Sequence, residues 1–141
     1  MENKIIVVDT DFFWEYHTGN SDAIDFLTSS NYDIISISAM TVAELIKGCG
    51  NKVKLNKLNR QIKDVLPLHI DTAISLIAVE LIQTYHLSHN ISINDAYLAA
   101  TCLYYDIDLA TCNTSDYHYI SNLKLAQHKV KPKRKGWDFF L

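Results

Sequence analysis

Short continuous apolar runs alternate along this chain with longer stretches whose apolar residues recur at helical spacing. Lys4 to Val8 (KIIVV) is the first run, and four of its five residues are β-branched. That composition predicts a buried, parallel strand. Asp33 to Ile37 (DIISI) predicts a second strand, and Leu66-Pro67-Leu68 an extended link or short strand. Leu109 to Thr111 predicts a short strand, and Leu123 to Ala126 a small last one. Helical signals lie between. Phe12 to Tyr16 starts a helix, and after the turn Gly19-Asn20-Ser21 a short helix runs through Leu27, capped by Ser21 or Asp22. Ser38 caps a helix reaching about Lys47, with Gly48 as its stop and Val42, Leu45 and Ile46 as its core stripe. Asn51 to Val65 reads as a thin amphipathic helix with the seam Leu55, Leu58, Ile62 and Val65. Asp71 or Thr72 opens a long helix to His86 whose Ile74, Ile77, Ala78, Leu81, Ile82 and Tyr85 form one face. Ala96 to Tyr105 is apolar nearly all round, which predicts a buried helix. This alternation predicts an α/β domain with a central, mainly parallel β-sheet of four or five strands flanked by helices.

Length and composition narrow the class. The chain has 141 residues, which suits a single domain over 1–141 with a real core. Apolar content of 48% and charged content of 21% are ordinary for a soluble globular protein. No apolar run reaches the roughly 18 residues of a membrane span. The start, MENKIIVVDTD, lacks a secretory layout, and Cys49, Cys102 and Cys112 have no C-x-x-C spacing. Free thiols in a reducing cytoplasm are the expectation.

Charge changes the picture more. The net charge of −3 argues against a strongly basic nucleic-acid binder. Apart from Lys4, every Lys and Arg lies between Lys47 and Lys63 or between Lys124 and Lys135, and acids dominate the first 46 residues. Such segregation suits a metal site flanked by phosphate-contacting surfaces, and it also suits plain solvated faces. The stretch 129–141 is a basic and aromatic tail, KVKPKRK followed by Trp137, Phe139 and Phe140. His86 and His89 have the spacing of a ligand pair but no third ligand nearby, which reads as a surface helix end.

Four acids take equivalent places in the expected topology. Asp9 and Asp116 follow strands, Glu44 lies on a helix just after a strand, and Asp95 opens a helix just before one. Right-handed crossovers bring such positions to one edge of a parallel sheet. Taken singly, Asp9 and Asp95 read equally well as helix caps, Asp116 as a turn residue and Glu44 as a solvated flank. Taken together, converging carboxylates repel and call for a hard divalent cation, Mg²⁺ or Mn²⁺.

These pieces also carry a family resemblance. IIVVDTDFFWEY, SISAMTVAELIKG, INDAYLAATCL and LATCNTSDY stand in the order and spacing of a PIN-domain ribonuclease. More narrowly, the chain resembles the VapC toxins of prokaryotic toxin–antitoxin pairs, over essentially its whole length. The resemblance implies a PIN-like domain and carries the family's acidic positions onto Asp9, Glu44, Asp95 and Asp116. It places supporting polar residues at Thr111 and Asn113. Asp11 stands where the family more often has Asn or Ser, adding charge or a ligand. Asn94 and Asp106 stand where Gly is frequent, and both residue types tolerate a left-handed backbone.

The activity implied is a metal-dependent endoribonuclease using Mg²⁺ or Mn²⁺, with transfer RNA or ribosomal RNA as substrate. Lys47, Lys52, Lys133 and Arg134, from the two basic regions, would hold the RNA backbone. The resemblance further implies an antitoxin partner and a homodimer, with no membrane involvement. Two rivals stand beside it. A strand ending in Asp9-x-Asp11 suggests a haloacid-dehalogenase-like phosphatase, although Phe13 stands where that family needs Thr or Val. The other rival is a non-catalytic PIN module that binds RNA or a protein partner.

Overall fold

A computed structural model of the chain describes residues 3–132. The fold grows from four short strands: β1 (Ile5–Val8), β2 (Ile34–Ser38), β3 (Leu66–Leu68) and β4 (Asp108–Ala110). They form one sheet of order β3-β2-β1-β4. Every pairing is parallel, with Ile6 opposite Ile35 and Asp108, and Ile37 opposite Pro67. Parallel neighbours need crossovers, and helices supply them. α1 (Thr10–His17) and α2 (Ser21–Ser29) join β1 to β2, and α3 (Ala39–Gly48) and α4 (Lys52–Ile62) join β2 to β3. α5 (Thr72–His89) and α6 (Ile93–Tyr105) then carry the chain back to the far side of β1. The strand order therefore reverses between β1 and β4, and a crevice opens beyond the carboxyl ends of those two strands.

β1 explains why the sheet is covered on both sides. Ile6 and Val8 pack into one core with Phe12, Phe13, Ile37 and Leu45. Val7 points into the opposite core with Ala96, Leu98, Ala99, Cys102 and Leu109. An unbroken apolar run is what a doubly covered parallel strand requires. Small residues on α6 let α5 approach closely, so that Ala100 meets Ile74 and Ala78.

Several boundaries differ from the sequence expectation. Leu123 to Ala126 is not a strand; Leu125 makes a single parallel bridge to Leu109, through Leu109 N–H to Lys124 O and Ala126 N–H to Leu109 O, both 2.9 Å. β4 is only three residues long, so one bridge is all its outer edge accommodates. Asn20, not Ser21 or Asp22, caps α2, because its Oδ1 accepts from Asp22 N–H while its amide donates to Glu15 Oε1. Ile46 is 42% exposed, off the stripe where Leu45 is fully buried, and its inward place is taken by Thr41. α4 ends at Ile62, leaving Val65 packed on the core from the turn that follows. α5 continues to His89 and stops at Asn90, whose φ of 50° is left-handed. Asp106 takes the left-handed backbone its type allows (φ 54°), whereas Asn94 lies within α6. Among the described residues, no helix is long and apolar enough to cross a membrane.

Candidate active site

Asp9 is the residue on which the crevice is built. It follows β1 directly, is 6% exposed, and caps α1 by accepting from Phe12 N–H at 2.9 Å on Oδ1. Its other oxygen, Oδ2, accepts from Thr111 Oγ1 at 2.6 Å. Thr111 follows β4 and is itself buried, and its Oγ1 accepts from Asn113 N–H at 3.0 Å. Burial pushes the Asp9 carboxyl up to about 7; the Thr111 and Phe12 bonds oppose the rise, and the charges of Asp11 and Asp95 add to it. The cap reading of Asp9 is thus correct on one oxygen, while the other is held by Thr111 in the wall of the hollow.

The other acids come from the elements expected of them. Glu44, on the half-buried flank of α3, accepts from Thr10 Oγ1 at 3.5 Å. Burial raises its carboxyl, as do Asp95 and Asp11, against the Thr10 bond. Asp95 lies in the first turn of α6, where its own N–H donates to the Ser92 cap. Burial raises Asp95 as well, opposed by bonds from Tyr117 and Ser92 and reinforced by Asp116. Asp116 is exposed on a short 3-10 turn, Thr114–Asp116. Asp11 accepts from Asn113 Nδ2 at 2.8 Å, so Asn113, in the loop after β4, is tied to both Asp9, through Thr111, and Asp11.

All five carboxylates line one hollow of about 250 Å³, with Asn113 and Tyr117 completing the wall. Among the described residues, no Lys or Arg lines it. As placed, no three His, Cys, Asp or Glu side chains among the described residues form a ready ligand cluster. The acids ring the hollow, and its donors are carboxylate, hydroxyl and amide oxygens. That donor set fits a hard cation held by one or two carboxylates with water filling the remaining positions. The mutual repulsion recorded at Asp9, Glu44 and Asp95 is what such a cation would relieve.

Five residues outside the expected set line this wall: Tyr117, Thr10, Thr41, Asn94 and Leu98. Tyr117 is 3% exposed and its hydroxyl donates to Asp95 Oδ1 at 2.9 Å. A tyrosine directly after the last acid was the available signal, since a buried phenol seeks a partner. Thr10 and Asn94 also line the hollow; nothing in their sequence context separates them from ordinary cap and first-turn residues. Lys47 and Lys52 are exposed on α3 and α4 and do not line the hollow. Lys133 and Arg134, like Trp137, Phe139 and Phe140, lie outside the described residues. Cys49, Cys102 and Cys112 are free thiols, and burial pushes Cys112 up to about 12, far from a reactive thiolate.

The PIN domain family model matches residues 6–120. No curated protein matches the chain. Among solved structures, the chain is similar to VapBC-1 from nontypeable Haemophilus influenzae, with 22% identity, a TM-score of 0.74, and coverage of 86% of this chain and 96% of that one. It is also similar to VapBC2 from Rickettsia felis bound to a promoter DNA fragment (20% identity, TM-score 0.71, 86% and 97% covered). A third is VapC20 from Mycobacterium tuberculosis, a sarcin–ricin loop cleaving toxin (17% identity, TM-score 0.62, 84% and 98% covered). At these identities the structural likeness carries the fold. The family match reaches all four strands and every acid of the hollow, and on that match the chain belongs to the PIN-domain family.

Proposed function

We propose that this chain is a metal-dependent endoribonuclease and the toxin member of a toxin–antitoxin pair. One observation carries the reading: five carboxylates, with no cationic side chain of the described residues among them, line a single hollow at the switch point of a PIN fold. Such a wall repels a phosphodiester unless a cation stands between. Asp9, Asp95 and Asp116 would hold Mg²⁺ or Mn²⁺, and Glu44 would join them or orient the attacking water. When bound, the cation supplies positive charge to the phosphate and acidifies water.

The chain's own residues do the positioning. Phe12 N–H and Thr111 Oγ1 fix both oxygens of Asp9. Tyr117 fixes Asp95 from the opposite side. Thr10 contacts only Oε2 of Glu44, and Glu44 lines the hollow. Attack on phosphorus in line with the departing 3′-oxygen leaves a 5′-phosphate. Lys47 and Lys52 would track the strand outside the hollow, contributing affinity without sequence information.

The solved neighbours include toxin–antitoxin complexes, which supports a small antitoxin as partner, and the toxin is read as a homodimer. A structured transfer RNA or ribosomal RNA is the substrate class, with single-stranded segments as the recognised part. The phosphatase alternative has no support: the family match is to the PIN domain, and Phe13 is a buried core residue.

The test is cleavage of total cellular RNA with Mg²⁺ or Mn²⁺, with and without EDTA, beside Asp95→Asn. Discrete fragments that need metal and vanish in the variant are expected. A folded protein that neither cleaves RNA nor binds Mn²⁺ in calorimetry would instead be a non-catalytic PIN module.

A further inference from the structure

Next to the acid hollow lies an aromatic column that the catalytic reading leaves unused. His89, the last residue of α5, stacks on Tyr119 with ring centroids 4.0 Å apart and planes 12° from parallel. Tyr85, one turn earlier on α5, meets Tyr119 edge-on at 5.0 Å, and its hydroxyl accepts from Ser121 N–H at 3.4 Å. His118 approaches Tyr119 edge-on at 5.9 Å. Ser88 Oγ, 2.7 Å from His89 Nδ1, fixes the imidazole plane. His89 is nevertheless exposed, although Tyr119 covers one face of its ring.

The column's place follows from the chain. Tyr119 stands three residues after Asp116 and two after Tyr117, whose hydroxyl holds Asp95. The field of the acids reaches it: after burial, Asp95 and Asp116 are the causes that raise the Tyr119 phenol. The column thus follows the last acid of the hollow by three residues, where a nucleotide flanking a phosphate in the hollow could meet it. Among the described residues no Lys or Arg lines the hollow, so contacts that do not depend on charge would add to what Lys47 and Lys52 contribute outside it. Stacking on aromatic faces is such a contact, and it is open to any unpaired base.

We propose that the His89–Tyr119 stack is a base-stacking subsite that receives an unpaired nucleobase of the RNA next to the scissile phosphate. This deepens the nuclease reading and rests on it. A purely structural clasp between α5 and the 117–121 turn is the competing explanation, and Tyr85 already supplies that tie through Ser121.

The experiment is a fluorescence titration of single-stranded oligoribonucleotides carrying 2-aminopurine, with the full chain bearing Asp95→Asn so that the RNA stays uncut. His89→Ala and Tyr119→Leu, placed on that chain and on the wild type, are compared with Tyr119→Phe and His89→Trp. Quenching of the probe at one nucleotide position is expected. His89→Ala and Tyr119→Leu should lose that quenching and about five-fold or more in affinity, in line with stacking losses per base. On the wild-type background the same changes should raise KM for RNA with kcat little changed. Tyr119→Phe and His89→Trp should bind as the parent does. RNA bound with parental affinity and quenching by His89→Ala and Tyr119→Leu would overturn the subsite while leaving the nuclease reading intact. Quenching by an RNA that the wild type never cleaves would retain the subsite and reject the nuclease. RNA that does not bind at all rejects both, and a loss of antitoxin binding with RNA affinity unchanged would assign the rings to a protein partner.

Discussion

Tyr117 Oη donates to Asp95 Oδ1 at 2.9 Å from a side chain that is 3% exposed, so a buried phenol and a half-buried carboxylate hold each other in the wall of the hollow. The proton stays on the phenol, because burial and the charge of Asp95 push its titration far above the ordinary tyrosine range. Tyr117→Phe keeps the ring in its core and removes only the donor. The variant should lose about 1 kcal/mol of unfolding free energy, the net worth of one such bond. It should lose more in function: Mn²⁺ affinity by calorimetry and RNA cleavage should both fall several-fold, because Asp95 is no longer aimed. Wild-type affinity and cleavage in a folded Tyr117→Phe protein would leave the phenol a packing residue only.

Thr111 serves two partners with one oxygen. Oγ1 donates to Asp9 Oδ2 and accepts from Asn113 N–H, and both Thr111 and Asp9 are buried. Thr111→Val preserves shape and removes both bonds, leaving a buried carboxylate oxygen and a backbone N–H without that partner. The expected loss is about 1–3 kcal/mol in urea denaturation, the cost of one unsatisfied buried group, since Asn113 is exposed and its N–H can turn to water. Thr111→Ser restores the hydroxyl and should recover most of the loss. An equal loss in the serine variant would trace the effect to the missing methyl instead.

The sheet and the acids were legible in the sequence for the same reason. A strand buried on both faces must be an unbroken apolar run, so KIIVV announced itself, and the polar residue after it had to lie at the carboxyl edge. Ser38 was read correctly as a cap, and Asp71 was one of the two residues offered for α5, because capping is local chemistry. What escaped depends on distant partners. Nothing local says that Asn20 rather than Ser21 begins α2, because the decision is made by Glu15 across the turn. Leu123 to Ala126 has a strand's composition, yet β4 offers it one residue of edge. Tyr117 became a site residue only when the crossover of α6 placed Asp95 against it. His89 and Tyr119 are thirty residues apart in the chain and meet only in the fold.

His17 gives the fold a pH dependence separate from the acid hollow. It is half-buried against Phe13, with ring centroids 4.2 Å apart, and burial lowers its pKa below 6.5, with Asp64 partly opposing. The folded protein therefore binds this proton less readily than the unfolded chain. The sign follows: the stabilising contribution is present above the unfolded pKa near 6.5 and is lost as pH falls through the lower folded value. Unfolding free energies of the wild type and His17→Gln, measured from pH 5 to pH 8, should differ in slope. The wild type should gain stability relative to the variant as pH rises across that window. Parallel curves would show that His17 titrates alike in both states.

Metal and the carboxylates should act in opposite directions on stability. Without a cation, burial and neighbouring charge penalise the ionised form of Asp95. Asp95→Asn removes that charge while its side-chain oxygen can still accept from Tyr117, so in EDTA the variant should melt at or above the wild-type temperature. With Mg²⁺ or Mn²⁺ the order should reverse. A ligand present at about a hundred times its Kd stabilises by about 2.7 kcal/mol when it binds only the folded state, and the wild type should show a rise of that kind. Asp95→Asn should show little of it. Calorimetric melts of both proteins, with EDTA and across a metal titration, read all four conditions. A wild type whose melting temperature ignores metal would remove the cation from the site. A variant that melts well below the wild type in EDTA would show that Asp95 is held there for the fold, and its loss of cleavage would then no longer identify it as a ligand.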